Sequence, residues 1–214
     1  MKNLIAFLSL SLLLAANANA SGLKQYQVSI TNATAHHVFT PTLIATHGSA
    51  FNLFKVGQAA SEGLVVQAET GDPSLLLAET QSQAEVFDTL IGTFIAYGQT
   101  ASFMITAPRK ARLSLTAMLA TTNDGFVALD NVALPRHSAT YYAYAYDAGS
   151  EDNNEDCAYI PGPPCAADSG NARDTNSEGF VSLHNGIHGQ ASLEPKDLDW
   201  HGPVAIITIT RVHH

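Results

Sequence analysis

The chain has 214 residues and carries 10 Lys and Arg against 19 Asp and Glu, a formal net charge of −9. This acidity excludes nucleic acid as a partner, since phosphates require Lys and Arg for neutralisation, and it disfavours direct adhesion to anionic lipid. Beyond the first twenty residues no segment approaches the ~20 apolar residues of a bilayer span, so a soluble exported protein with no transmembrane segment in its mature form is expected.

The N-terminus reads as a signal peptide over residues 1–20. Lys2 supplies the positive end, residues 4–16 are apolar except for Ser9 and Ser11, and Ala18-Asn-Ala20 gives a small-x-small cleavage pattern before Ser21. Cleavage there removes one lysine and no acid, so −9 becomes −10. Residues 21–214 then form a single domain, long enough for a sizeable core.

Along the mature chain, alternating apolar positions dominate. Tyr26, Val28 and Ile30 share one face of a first strand, followed by Asn32-Ala-Thr34, an N-glycosylation sequence that matters only in a eukaryotic source. Residues 37–45 form a weaker strand candidate, which Pro41 makes an edge or kinked one. Ser61 with Glu62 opens a short helix through about Glu69. Gly71-Asp72-Pro73 then offers an N-cap and a proline at the first helical position of a second helix, whose 3.6-residue pattern runs to about Val86. Residues 102–106 are another weak strand. Leu113, Leu115, Ala117 and Leu119 share a strand face, residues 126–129 return, and Tyr142, Tyr144 and Tyr146 mark the next strand. Residues 204–212 are rich in β-branched side chains. The pattern predicts an all-β fold, an antiparallel β-sandwich with short helical insertions.

Five carboxylates fall within ten residues at Asp147, Glu151, Asp152, Glu155 and Asp156, directly after the aromatic strand. Crowded carboxylates repel one another unless a positive charge sits among them. Strand parity places the turn at Thr122-Asn-Asp124-Gly125 and the end of the tyrosine strand on the same side of the sheet. Asp124 and Asp147 then emerge together, and Glu151 turns back toward them across Gly149. Three carboxylates from two adjacent loops make an oxygen cage suited to calcium, which takes six to eight oxygens. Cys157 and Cys165, with seven residues between them, read as a disulfide in an exported chain. Closing so short a loop contributes ~2.5 kcal/mol.

These residues resemble a known family. Tyr26-x-Val-x-Ile-Thr-Asn32, Phe39-Thr-Pro41 with His47, residues 64–71, Thr122-Asn-Asp-Gly-Phe126 and Tyr146-Asp-Ala-Gly-Ser-Glu151 look like a spondin-type domain, the N-terminal module of F-spondin and mindin. Trp200 and the strand at 203–211 continue the likeness, which points to a bacterial single-domain member. The resemblance implies about eight antiparallel strands and a calcium ion held at Asp124, Asp147 and residue 151. The last is Glu here where animal members have Asp, so it reaches one methylene further. It also implies a non-enzymatic role in adhesion or recognition of a cell-surface or extracellular ligand.

Nine histidines raise an alternative, a metal-dependent hydrolase or redox module using His184, His188 and His201. On an extended strand, residues four apart share a face but stand ~13 Å from one another, too far for one ion. A turn at Gly186 is needed to bring the first two together. No Gly-x-Ser-x-Gly elbow supports nucleophilic catalysis.

Overall fold

The period-2 segments build nine strands and three short helices in the computed structural model, which describes residues 22–165 and 172–213. The expected signal peptide lies outside the described residues. The strands are β1 (Lys24–Asn32), β2 (Leu43–His47), β3 (Val86–Ile91), β4 (Thr100–Ala107), β5 (Arg112–Met118), β6 (Gly125–Ala133), β7 (Ser138–Asp147), β8 (Ser182–Leu183) and β9 (Ala205–Arg211). The helices are α1 (Glu62–Thr70), α2 (Ser74–Gln81) and α3 (Pro195–Leu198).

The strands follow the order β3-β2-β5-β6-β7-β9-β1-β4, with β8 added beside β7. All pairings are antiparallel. β7 belongs to both layers of the sandwich. Its first part, from Ser138 to Ala143, pairs with β9, and its last part, from Tyr144 to Asp147, pairs with β6.

Between the layers lies the main core, where Val28, Ile30 and Ile207 meet Ile44, Leu115 and Val127. A second cluster packs Leu64 and Ala68 of α1 and Leu76 of α2 onto Leu43, Phe126 and Ala128. β2 and most of β5 are therefore buried on both faces, which is why their burial does not alternate. A third, smaller cluster gathers Ile160, Cys165, Ile187, Leu193 and Leu198 beneath the long C-terminal loop.

Both helices begin and end differently in detail. Ser61 Oγ accepts the Leu64 N–H at 3.2 Å, and Gly71 closes α1 in the left-handed conformation. Asp72 accepts the Ser74 N–H at 2.9 Å, but Pro73 is the cap and α2 starts one residue later than expected. α2 also stops at Gln81, and 86–91 is a strand. That edge strand was hidden because apolar side chains occupy both of its faces, Val86 and Leu90 on one, Phe87 and Ile91 on the other.

β3 and β4 end the strand path, and they lie side by side across a seam. There Asp88 Oδ2 accepts both the N–H of Thr106, at 2.8 Å, and its hydroxyl, at 2.6 Å. Thr46 Oγ1 donates to the Thr106 carbonyl at 2.7 Å. Farther along β5, His47 Nε2 lies 2.8 Å from Ser114 Oγ, which donates to Asp130 Oδ1 at 2.6 Å. Ser114 is wholly buried, and the trio ties β2, β5 and β6 together.

Asn32 is also wholly buried. Its amide donates to the carbonyls of His37 and Ile95, both at 2.9 Å, and its Oδ1 accepts from Thr34 N and Oγ1. The folded domain thus offers no glycosylation site there. Asn32→Ala removes two amide bonds to buried carbonyls and leaves the buried Thr34 N–H without its acceptor, and should lower stability by about 2–4 kcal/mol in urea unfolding. A loss below ~0.5 kcal/mol would contradict this assignment.

Candidate metal centre

The β6–β7 register builds the acidic end. Gly125 pairs with Asp147, so the turn before β6 and the loop after β7 start side by side. Thr122 shapes the turn: its Oγ1 donates to the Leu119 carbonyl at 2.7 Å and accepts the Gly125 N–H at 2.9 Å. Ala148 N–H then donates to the Asp124 carbonyl at 3.2 Å. Below, Phe126 stacks on Tyr146 with centroids 5.6 Å apart, and Phe54 meets both edge-on. Gly149 sits at φ +68°, and a Cβ there would collide with the Phe180 carbonyl, so only glycine turns the chain back at this point.

That turn delivers Ser150 and Glu151 to Asp124. Asp124 Oδ2 accepts the Ser150 N–H at 2.7 Å, the Ser150 hydroxyl at 3.0 Å and the Glu151 N–H at 3.1 Å. Asp124 Oδ1 is buried with no hydrogen-bond partner among the described residues. Glu151 Oε1 accepts the Asp174 N–H at 3.0 Å, while its Oε2 is likewise buried and unpartnered. Asp147 uses both oxygens, Oδ1 with the Gly149 N–H at 2.6 Å and Oδ2 with the Asn153 amide. Asp124, Asp147 and Glu151 are each no more than 2% exposed.

Two further acids face this group. Glu69, in the last turn of α1, repels both Asp124 and Glu151, and is bound by Arg173 at 2.9 Å. Glu178 repels Asp147. Neither was accessible from sequence spacing, since Glu69 precedes Asp124 by 55 residues on a different element. Among the described residues, no group of three or more His, Cys, Asp or Glu is arranged so as to hold a metal ion. An ion here would draw on main-chain carbonyl or water oxygens as well.

Charge is expensive in this setting. Burial pushes the Asp124 carboxyl above its ordinary value, against the Ser150 and Glu151 N–H groups, and Glu69 adds repulsion. Burial and then the Asp124 charge push Asp147 up to about 7, with Asn153 and Gly149 opposing. Glu151 also rises to about 7, through burial and then repulsion from Glu69 and Asp124, while the Asp174 N–H and Arg173 pull it down.

Cys157 and Cys165 form the expected disulfide, with Cα atoms 5.2 Å apart. The histidines do not share one environment. His184 is buried against Trp200, ring centroids 5.0 Å apart, with Nδ1 accepting the Gly186 N–H at 3.0 Å. Burial and then the neighbouring His37 and His188 hold it down at about 4. The His188 ring is exposed and its backbone N–H donates to Glu155 Oε1. The His201 side chain is 95% exposed, 3.8 Å from the Asp199 carboxylate.

A cleft of about 520 Å³ lies between the 50–55 loop and α2. Its acids are already engaged. Glu79 accepts from Ser61 Oγ and the Gly63 N–H, and Glu85 accepts from the Ala50 N–H.

The raised carboxyls fix a pH response. Asp147 and Glu151 titrate near 7 when folded but near 3.9 and 4.3 when unfolded, so without a cation their contribution is full below about pH 4 and is lost as the pH rises through 7. His184 works in the opposite sense, contributing above pH ~6.5 and losing that contribution as the pH falls toward 4. Asp147→Asn isolates the acidic part. In EDTA, the melting temperature of the wild type relative to this variant should fall between pH 5 and pH 8.5. A constant difference across that range would rule out the raised values.

No curated protein matches the chain in sequence. A family profile described as Spondin_N matches residues 23–156, from the start of β1 through the acidic loop. The fold continues beyond that match, because β9 fills the position between β7 and β1. With this match over more than half of its length and its antiparallel sandwich, the chain belongs to the Spondin_N family of extracellular-type β domains.

Proposed function

We propose that this is a secreted or periplasmic, non-enzymatic recognition domain whose acidic end holds one calcium ion. The observation that carries the reading is the pair of buried carboxylate oxygens, Asp124 Oδ1 and Glu151 Oε2, that meet no donor among the described residues. A buried anionic oxygen without a partner is costly, and a hard divalent cation is the species whose chemistry suits several such oxygens at once. Asp147 joins the set by exchanging its Asn153 amide for the ion. The same cation reverses the carboxyl shifts, keeping all three groups ionised at neutral pH.

In this reading the ion and the Cys157–Cys165 disulfide together fix the loop after β7, which is presented to a cell-surface or extracellular ligand. Membership of an extracellular domain family supports this role. Among the described residues no helix is long and apolar enough to cross a membrane. The engagement of the cleft carboxylates in capping and turn bonds supports a binding rather than a hydrolytic function.

Calorimetry on protein lacking residues 1–20 should show one calcium bound per chain, with binding lost in Asp124→Asn. EDTA should lower the melting temperature and excess calcium restore it, the stabilisation free energy being about 2.7 kcal/mol at a hundredfold excess over Kd. No heat of binding together with no melting response would falsify the calcium reading. Zinc and copper are the controls, since tight uptake removed by His184→Ala would favour the histidine-based alternative.

A further inference from the structure

The sandwich is covered on one side only. α1 and α2 pack on the β2, β3, β5 and β6 layer, while among the described residues no helix packs on the outer face of β4, β1, β9 and β7. The strand registers arrange that face in rows. Ser102, Ser29, Thr208 and Thr140 lie side by side in one row. Thr100, Thr31, Ile206 and Tyr142 form the next, and Met104, Gln27, Thr210 and Ser138 flank it on the other side. None of these side chains is buried, and none is charged, although the chain as a whole is at −9.

Eight of these twelve positions are Ser or Thr, and their hydroxyls pair across strands. Ser29 and Ser102 are 2.8 Å apart, as are Thr31 and Thr100; Ser138 and Thr210 are 2.9 Å apart, and Thr140 and Thr208 3.2 Å. Each pair consumes one of its two protons, so every pair still presents one donor and several lone pairs outward. Tyr142 and Tyr144 stand on the same side of β7, 61% and 47% exposed, about 6.7 Å apart at the usual rise.

We propose that this face binds a neutral polysaccharide chain. A pyranose has an apolar C–H face and a rim of hydroxyls. The tyrosine rings suit the first, and the paired hydroxyls exchange hydrogen bonds with the second. An anionic polymer would find no counter-charge here, and a polycation would be drawn to the acidic end instead. A protein partner would want a contiguous apolar centre, whereas Met104 is separated from Ile206 and Tyr142 by a row of hydroxyls. Adjacent strands rotate by about 20–25°, so the face turns too far across four strands to match a flat crystal surface, and a single flexible chain fits better. The proposal supplies a partner class for the recognition role above but uses none of its carboxylates.

Affinity electrophoresis of the full mature chain through gels containing laminarin, dextran, galactomannan or hydroxyethyl cellulose, with alginate as the anionic control, tests it. At least one neutral polysaccharide should retard the protein, equally in calcium and EDTA and equally at 0.05 and 0.5 M salt. Tyr142→Ala and Thr208→Asp, both surface changes checked for unaltered melting, should each weaken retardation at least tenfold. Retardation by none of the four neutral polymers, or retardation untouched by both variants, overturns the proposal. Loss of retardation in EDTA assigns binding to the acidic end and likewise overturns it while leaving the calcium reading intact. A dimer in sedimentation velocity that Thr208→Asp dissociates shows the face to be a contact between copies and also ends the proposal.

Discussion

Pairing of Gly125 with Asp147 across β6 and β7 sets the geometry of the acidic end. One residue of slip would move Asp124 away from the loop after β7 and invert every side chain of the aromatic strand. With the register fixed, Asp124 Oδ2 gathers two backbone N–H groups and a hydroxyl from Ser150 and Glu151, which closes the loop over its own carboxylates. Those bonds bring negative charges together that would otherwise separate. The cluster is therefore held by the backbone against its electrostatics.

Helices cover one side of the sandwich and the long loop closes one end, leaving the hydroxyl face and the acidic rim as surfaces of different character. One is neutral and rigid, built on four paired strands. The other is charged and built on loops that are held by hydrogen bonds to carboxylates and by a disulfide.

Most strands were legible because half-buried sheets alternate in sequence, and the tyrosines of β7 alternate with alanines for this reason. Parity alone placed Asp124 and Asp147 at one end. What escaped was everything that depends on distant packing. β3 carries apolar residues on both faces and follows a helix that ends without a glycine signal. Glu69 reaches the acidic group only because α1 lies over β5 and β6. The packing of His184 against Trp200 likewise depends on residues distant in sequence and has no local signal.

The seam between β3 and β4 has its own consequence. Thr106 would ordinarily leave an N–H and a C=O open at the end of a sheet, an invitation for another chain to add a strand. Asp88 takes the first and Thr46 the second, so side chains complete the rung that no backbone supplies. Blocking that rung discourages runaway polymerisation while leaving the hydroxyl rows on the adjoining surface free for other use.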